Sequence, residues 1–548
     1  MNPASIDYQI MWDRLVAVVE EQATTLVRTA FSTSVREAGD LSAGLFDRKC
    51  RMLAQAVTGT PGHVNAMAES VSHFAREIGQ RNIFDGDVYV TNDPWQGTGH
   101  LHDVTMVTPV FRKSRHIGYF ACTAHVVDIG GRGFGPDAHE VYEEGLLIPI
   151  CKFAEKGTVN PLLLRLVRAN VRTPDQTVGD LFSLAACNEA GMRRLRAMLD
   201  EFETDEIAGL GDYIIETSRN ATRKAISEVP SGTYRNKMQV DGYETPVQLK
   251  VTIDVAGETL SADFGGTSGM SSLGVNVPEV YTRAYACYAL KCAIAPEIPN
   301  NAGSLEPFRI TAPKGCILAA SRPAPVSVRH VLGHFIPDVV LGALHAAMPG
   351  TVPAEGASAL WNIQMSARPL NPESGLQAHE ILMFNSGGTG ARPQSDGLSA
   401  TAFPSGVSTM SVEATEQVGP ITIWRKELRQ NSGGSGARRG GLGQIIEIEP
   451  RNGYDLWFNA MFDRVDNPAR GRAGGKPGSA GAVELTDGTK LRAKGRQFVR
   501  NGQRLRLSLP GGGGYGDPHS RDSSAIKDDV EAEYVSMNEA RRDYGYKP

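Results

Sequence analysis

The sequence predicts a mixed α+β protein built in several layers, with a helical layer in the middle and a β-rich C-terminal half. Apolar residues recur at three- and four-residue spacing near the N-terminus and between residues 161 and 218, which is typical of amphipathic helices. Short apolar or alternating runs between turn residues recur at 41–129 and beyond 350, which is typical of strands. The 60 glycines among 548 residues indicate many tight turns.

Residues 1–230 are expected to form an α+β domain. It begins with a helix over 7–31, whose apolar face consists of Leu15, Val18, Val19, Leu26, Val27 and Ala30. A second helix is predicted over 66–78, and strands are predicted at 41–46, 51–56, 86–92, 103–111 and 116–129. Turn residues separate these strands, so we expect an antiparallel sheet. Residues 161–218 follow as a helical layer, with Pro161 in the first turn.

Residues 231–350 are expected to form a mixed α/β domain, and residues 351–548 a β-rich, Gly-rich domain. The first contains a hairpin of strands 247–255 and 259–264, because apolar and polar residues alternate around a short turn. Apolar helices are predicted over 281–295 and 331–348. In the second domain we predict strands at 421–427, 444–449, 456–461 and 505–509 and a C-terminal helix over 522–544.

Charge and hydropathy exclude several classes of protein. Lys and Arg total 56 and Asp and Glu total 61, a net charge of −5 without a basic stripe, which argues against a nucleic-acid partner. No apolar run approaches the roughly 18–20 residues that span a bilayer, and Asp7 and Asp13 interrupt any signal-peptide pattern. We therefore expect a cytoplasmic protein without membrane contact. Seven cysteines without a C-x-x-C pair predict reduced thiols.

The densest group of side chains with metal-binding chemistry contains His100 and Asp103, and His125 follows later in the chain. Two imidazoles and a carboxylate suit a divalent ion such as Zn, Mn or Fe(II). On a regular strand His100 and Asp103 would point to opposite faces, so both reach one ion only if His100 lies in the preceding turn. Gly97 and Gly99 favour such a turn. His125 would then arrive from the adjacent strand.

The same residues also have a simpler interpretation. His100 or His102 would cap a turn, and His125 would be a hydrogen-bonded core histidine, because a scattered triad is a weak signal beside H-E-x-x-H. The spacing alone leaves both interpretations open.

Carboxylates lie upstream around a turn at Gly39. Next to a metal site, Glu37, Asp40 or Asp47 would act as a general base, a ligand or a substrate clamp. Residues of these types also form turns and caps. We take Asp40 and Glu37 as the candidate catalytic bases.

Glycine clusters occur at 387–388, 433–443 and 511–514, where backbone N–H groups would be able to bind an anion. None has the G-x-x-x-x-G-K-[ST] pattern, and no dinucleotide motif follows a predicted strand. Structural turns are the simpler interpretation. Nothing in these segments predicts a nucleotide site in this chain.

Short motifs rich in Gly, Asp, Asn, His and Pro extend almost to the C-terminus. They lie at residues 36–42, 46–47, 54–56, 62–64, 86–88, 92–94, 99–103, 123–125, 128–131, 143–145, 299–304, 322–327, 432–434, 438–443 and 510–518. In order and spacing they resemble the B subunit of the hydantoinase/oxoprolinase family. One departure is Ala43, where many relatives have Cys, so a mechanism that needs that thiol does not apply.

The resemblance implies a multi-subunit, ATP-dependent enzyme. In this family a separate A subunit of the actin-like ATPase kind phosphorylates a carbonyl or amide oxygen, and the B subunit receives the activated substrate. Relatives hydrolyse hydantoins, 5-oxoproline or lactams, whereas acetone and acetophenone carboxylases fix bicarbonate onto a ketone. In the acetone carboxylase relatives two His and one Asp hold a metal ion, a pattern that matches His100, Asp103 and His125.

We therefore expect the metal-bearing B subunit of an ATP-dependent cyclic-amide hydrolase, in a hetero-oligomer with an A-type ATPase subunit that holds the ATP. Two alternatives remain at this point. One is a subunit of an ATP-dependent ketone carboxylase, and the other is a non-catalytic scaffold for the A subunit. The small-molecule substrate would be a cyclic amide or, for the carboxylase, a ketone.

Overall fold

The computed structural model describes residues 3–57 and 59–547 and confirms a mixed α+β fold. In this part of the chain the strands form one seven-stranded sheet and three four-stranded sheets. No described helix is both long enough and apolar enough to cross a lipid bilayer. All seven cysteines are free thiols, as predicted.

The seven-stranded sheet occupies the N-terminal part. Its elements are α1 (Pro3–Thr29), α2 (Thr33–Arg36), β1 (Leu41–Asp47), β2 (Met52–Gln55), α3 (Pro61–Ile78), β3 (Val88–Thr91), β4 (Asp103–Arg112), β5 (Arg115–His125), β6 (Cys151–Glu155) and β7 (Thr158–Val159). The strand order is β2-β1-β5-β4-β3-β6-β7 with antiparallel neighbours, which confirms the predicted sheet. The sequence did not predict β6 and β7.

Helices cover both faces of this sheet. The helical layer consists of α4 (Pro161–Asn170), α5 (Pro174–Glu201) and α6 (Ala208–Ser227). Helices α1 and α5 pack together and against the sheet, and α3 packs against β1, β4 and β5. Strand β1 is consequently buried along its whole length. The polar ends of β4 and β5 are therefore shielded from water.

The next part combines a sheet with apolar helices. Its elements are β8 (Gly232–Val240), β9 (Val247–Ala256), β10 (Thr259–Asp263), α7 (Glu279–Ile294), α8 (Ala302–Leu305), β11 (Phe308–Thr311), α9 (His330–Gly333) and α10 (Ile336–Leu344). The sheet order is β11-β10-β9-β8, and buried residues alternate along β9, as the predicted hairpin requires. Helix α10 packs on β8 and β9.

The prediction of one continuous helix over 331–348 is wrong. The segment forms α9 and α10, and Pro337 lies in the first turn of α10. Proline lacks a backbone N–H and clashes with the carbonyl four residues earlier, so it ends a helix that would otherwise continue. His330 therefore begins a short helix, and His334 directly follows it.

The C-terminal part contains two packed four-stranded sheets. Its elements are β12 (Ile363–Pro369), β13 (His379–Met383), α11 (Val412–Val418), β14 (Ile421–Leu428), β15 (Gln444–Pro450), β16 (Tyr454–Met461), β17 (Ala482–Leu485), β18 (Lys494–Val499), β19 (Leu505–Ser508), α12 (Ser523–Glu531) and α13 (Met537–Tyr544). The orders are β13-β12-β16-β18 and β14-β15-β19-β17. Met365 and Phe458 from one sheet and Ile446 and Leu507 from the other share one buried cluster.

The C-terminal helix predicted over 522–544 is two helices, α12 and α13. Glu533 has a positive φ of 59°, a left-handed conformation that interrupts a right-handed helix. Ser536 then starts α13, because its side chain accepts a hydrogen bond from the backbone N–H of Glu539. The C-terminal segment is helical, as predicted, but it forms two helices instead of one continuous helix.

The glycine clusters pack backbone against backbone. A Cβ at Gly388 would lie 1.8 Å from the Gly441 carbonyl oxygen, and one at Gly440 would lie 1.9 Å from that of Gly512. No side chain fits at such distances, so glycine is required for close packing of these loops. This supports the interpretation of the clusters as structural turns.

We expect Gly62→Ala to destabilise the protein although alanine favours helices. Gly62 lies in α3, where a Cβ would meet Tyr285 Cε2 at 2.6 Å and Tyr281 Cε2 at 2.7 Å. Because both tyrosine rings are buried, the expected loss is about 1–3 kcal/mol in the free energy of unfolding, measured by urea denaturation. Gly350→Ala, where nothing lies within 4 Å, is the matched control. Equal stability of the two variants would contradict the packing of α3 on α7.

Candidate functional site

The predicted triad comes together where β4 and β5 pair. His100 lies in the turn before β4, which Gly99 enables with a φ of +105°. Asp103 is the first residue of β4, and it pairs in register with His125, the last residue of β5. One ligand atom from each of the three lies within 4.8 Å of the others, and all three residues are buried. This confirms the prediction that His100 lies in the turn before the strand and not on the strand itself.

The two ring nitrogens of His100 have different partners. Nδ1 lies 2.7 Å from the carbonyl oxygen of Ser327, which can only accept, so Nδ1 carries the hydrogen. Nε2 lies 2.7 Å from Oδ1 of Asp103. Burial, reinforced by the Arg329 guanidinium, lowers the pKa of His100 to about 4. At neutral pH a nitrogen lone pair therefore faces a carboxylate oxygen, and a cation beside both atoms would relieve their repulsion.

Asp103 is the centre of this hydrogen-bond network. Its Oδ1 also lies 3.1 Å from His125 Nδ1, and its Oδ2 accepts hydrogen bonds from Thr98, His63 and Arg329. Burial alone would raise the pKa of Asp103, but the Arg329 guanidinium, His100 and His63 together outweigh burial and keep that pKa well below its usual range. Asp103 is therefore ionised, and the Arg329 guanidinium balances its charge.

Asp40 faces the same site. Its Oδ1 accepts a hydrogen bond from the Thr60 hydroxyl at 2.9 Å and lies 3.6 Å from His63 Nδ1. Its Oδ2 lies 4.0 Å from His125 Nδ1. Burial favours neutral His63, but the carboxylates of Asp103 and Asp40 outweigh burial and raise its pKa. His63 thus links the two carboxylates electrostatically.

The other upstream carboxylates are elsewhere. Glu37 directly follows α2, its side chain is 35% exposed, and it forms a salt bridge with Arg36 at 3.1 Å. Asp47 accepts hydrogen bonds from Arg51 at the β1–β2 turn. Neither residue lines the cavity beside the triad. Of the candidate bases, the fold brings only Asp40 to the site.

A small cavity of about 20 Å³ adjoins the triad, enough for about one water molecule or ion. Its lining joins segments from all parts of the chain: Asp40, Thr60, His63, His100, His125, Phe134, Tyr281, Arg329, His330, His334, Leu360, Asn362, Phe384, Ser405 and Val407. His102 is not in this lining; its ring stacks on that of His125, with centroids 5.5 Å apart. The sequence did not predict His63, Arg329, His330, His334 or Asn362.

The segment that carries Ser327 and Arg329 is held in place by N-terminal residues. Glu144 is buried, and its Oε1 accepts hydrogen bonds from the backbone N–H groups of Val326 at 2.6 Å and Ser327 at 2.7 Å. Trp95 Nε1 donates to the Ala320 carbonyl at 2.8 Å. The motifs at 143–145 and 322–327 were visible in the sequence, but no local signal indicated that they meet.

A larger cleft of about 700 Å³ lies next to the small cavity. Its lining includes Gly39, Gly59, Pro61 and Gly406, each adjacent in the chain to a residue that lines the cavity. A thin wall of backbone therefore separates the two. A small molecule in the cleft would lie close to the candidate metal ligands.

Known proteins share the sequence and the fold of this chain. The Hydantoinase B/oxoprolinase family model matches residues 4–518, so the chain belongs to the hydantoinase B/oxoprolinase family. It is 27% identical to the putative D-/L-hydantoinase B subunit of Pseudomonas sp., over 98% of this chain and 94% of that protein. It is 29% identical to 5-oxoprolinase 1 of Arabidopsis thaliana, over 93% of this chain but only 42% of that longer protein.

Two solved structures share the fold over nearly the whole chain. The ATP-dependent caprolactamase from Pseudomonas jessenii superposes with a TM-score of 0.89 at 25% identity, over 99% of this chain and 96% of that chain. Nucleotide-free acetone carboxylase superposes with a TM-score of 0.85 at 21% identity, over 99% of this chain and 80% of that chain.

We expect Arg329→Met to lower the free energy of unfolding by about 3–5 kcal/mol, because the buried Asp103 carboxylate loses its cationic partner. Arg329→Met combined with Asp103→Asn is expected to cost less than the sum of the two single changes. Urea denaturation with a chelator present measures all three variants. Arg14→Met, which breaks an exposed ion pair with Glu201, is the control and should change stability by less than about 1 kcal/mol. Additive losses would contradict the coupling.

Proposed function

We propose that this chain is the metal-bearing subunit of an ATP-dependent cyclic-amide hydrolase of the hydantoin, 5-oxoproline or lactam type. It would act in a hetero-oligomer on substrate that an A-type partner subunit has phosphorylated. The observation that carries the proposal is the buried contact of His100 Nε2 with Asp103 Oδ1 at 2.7 Å beside His125. The names of the relatives, a hydantoinase component and an ATP-dependent caprolactamase, support the reaction class.

The residues fit a divalent ion such as Zn, Mn or Fe(II). His100 and His125 offer imidazole nitrogens, Asp103 offers a carboxylate oxygen, and His125 Nε2 is buried without a hydrogen-bond partner among the described residues. The Ser327 carbonyl fixes the His100 tautomer, as second-layer partners of metal-binding histidines commonly do. When bound, the ion would supply positive charge that acidifies a water molecule and polarises the reacting carbon–oxygen bond.

An amide carbonyl is a poor electrophile, and phosphorylation of its oxygen makes the carbon reactive. The sequence has no phosphate-binding motif of its own, which agrees with ATP binding on the partner subunit. After water adds to the activated carbon, the ring C–N bond breaks, and the acyl phosphate that remains is hydrolysed to carboxylate and phosphate.

Asp40 is the proposed general base. Its Oδ1 is occupied by the Thr60 hydroxyl, so Oδ2 is the atom that takes a proton from the attacking water. The protonated Asp40 then returns that proton to the ring nitrogen as the C–N bond breaks. His63 Nε2 lies 2.9 Å from Asp103 Oδ2, and its Nδ1 lies 3.6 Å from Asp40 Oδ1, so the ring separates the two carboxyl groups.

We expect the complex with the A-type subunit to contain about one divalent ion per copy of this chain by elemental analysis. His125→Ala is expected to lose the ion and at least about 100-fold of cyclic-amide opening, because it removes a ligand. His116→Ala, a half-buried histidine outside the cavity, is the control. Full activity without metal would support the scaffold instead, and ATP turnover that requires bicarbonate and a ketone would support the carboxylase.

Asp40→Asn is expected to retain the ion but to reduce ring opening by about 10²- to 10⁴-fold, because it removes the proton acceptor. Ring-opened product is measured by chromatography, and bound metal is measured on the same sample. Glu37, the other candidate base, forms an exposed ion pair outside the cavity, so Glu37→Gln should retain activity. Loss of the ion from Asp40→Asn would make Asp40 a ligand, and a comparable activity loss in Glu37→Gln would assign the base to Glu37.

A further inference from the structure

Glu144 is a buried acid that does not line the cavity at the triad. Its exposed fraction is 1%, and its Oε1 accepts hydrogen bonds from the backbone N–H groups of Val326 at 2.6 Å and Ser327 at 2.7 Å. Val326 and Ser327 are buried too, so bulk water does not reach these N–H groups and cannot replace the carboxyl oxygen. Glu144 therefore holds the backbone at 326–327 in one arrangement.

The carboxyl group of Glu144 is a neutral hydrogen-bond acceptor. Burial raises its pKa to about 8, although the two backbone N–H groups oppose that shift. At neutral pH most molecules therefore carry the acid form, in which Oε1 is the carbonyl oxygen and Oε2 bears the hydrogen. A glutamine carboxamide offers the same acceptor in nearly the same shape, so Glu144→Gln should retain both contacts.

The backbone on both sides of Ser327 is fixed. The N–H group of Ser327 donates to Glu144, and the N–H group of the next residue, Val328, donates to the Gly274 carbonyl at 2.9 Å. The Ser327 carbonyl between these two anchors lies 2.7 Å from His100 Nδ1. Gly274 acts through its backbone, so substitution of a side chain cannot remove its contact. Glu144 is the anchor that a point mutation can remove.

The direction of the Ser327 carbonyl decides which ring nitrogen of His100 carries the hydrogen. While the carbonyl accepts from Nδ1, the lone pair is on Nε2, which lies 2.7 Å from Asp103 Oδ1. If the carbonyl turned away, Nδ1 would lose its acceptor, and the hydrogen would move to Nε2 and bond to Asp103. That hydrogen would occupy the place of a cation, so an ion would have to displace it before binding.

We propose that Glu144 is a positioning residue for the metal ion: it holds the Ser327 carbonyl toward His100 Nδ1 and thereby keeps the Nε2 lone pair free for a cation. This inference rests on the proposed function, in which His100 is a metal ligand, and adds a residue outside the cavity that sets the affinity for the ion. Loss of the direct partner of a ligating histidine costs about 10- to 100-fold in metal affinity. Because Glu144 acts through the backbone, we expect the lower end of that range.

The test uses the full-length chain, purified with its A-type subunit and freed of metal with a chelator. Competition with a chromophoric chelator gives the Kd for Zn²⁺, the absorption spectrum with Co²⁺ reports the ligand geometry, and His125→Ala gives the background from binding elsewhere. We expect Glu144→Leu to raise the Kd about 10-fold and to change the Co²⁺ spectrum, and Glu144→Gln to stay within about threefold of the wild type. The matched control is Trp95→Phe, which removes the hydrogen bond to the Ala320 carbonyl in the same segment but none at Ser327.

An unchanged Kd in Glu144→Leu, or an equal loss in Trp95→Phe or in Glu144→Gln, would overturn the inference and leave the proposed function standing. If the wild type binds Zn²⁺ no more tightly than His125→Ala, the proposed metal-bearing function itself fails. If Glu144→Leu does not fold, Glu144→Asp decides, because its carboxyl group is one methylene farther from the two N–H groups. A Kd raised more than about threefold in Glu144→Asp supports the inference, and an unchanged Kd overturns it.

Discussion

The carboxylate of Asp103 is buried where β4 and β5 meet, and its partners come from distant segments of the chain. His63 belongs to α3, His100 to the turn before β4, His125 to the end of β5, and Arg329 to the segment before α9. A buried charge is costly unless it is fully paired, so the native arrangement must hold all these segments together. The same pairing that stabilises this site also brings ring nitrogens of His100 and His125 beside a carboxylate oxygen of Asp103.

Much of this junction was predictable from local sequence. The alternation of side chains along a strand placed His100 in a turn and His125 on the neighbouring strand, and the register of Asp103 with His125 confirms that reasoning. Arg329 and His330 were not predictable in the same way. They lie more than 200 positions after Asp103, and the spacing of apolar residues does not predict which loop contacts the end of which strand. Their partners became evident only with the tertiary fold.

The sequence alone could not decide which of the two candidate bases lies at the site. Glu37 and Asp40 are three residues apart around Gly39, and composition gave no reason to separate them. The turn directs Asp40 toward Thr60 and His63, whereas Glu37 forms a partly exposed ion pair with Arg36. Helix boundaries were also hard to predict. The spacing of apolar residues continues across the break before Pro337 and across the left-handed Glu533, so each pair of helices looked like one helix. In the proposed function, the residues around this cavity bind the ion, while ATP chemistry takes place on a partner subunit.

The proposed function requires that His100, Asp103 and His125 share one cation. Anomalous diffraction from crystals grown with Mn²⁺ or Zn²⁺, recorded at the absorption edge of the metal, locates such a cation. We expect a single strong peak in contact with His100 Nε2, a carboxylate oxygen of Asp103 and a ring nitrogen of His125. A metal peak elsewhere in the chain, or none at this site in metal-saturated crystals, would contradict it.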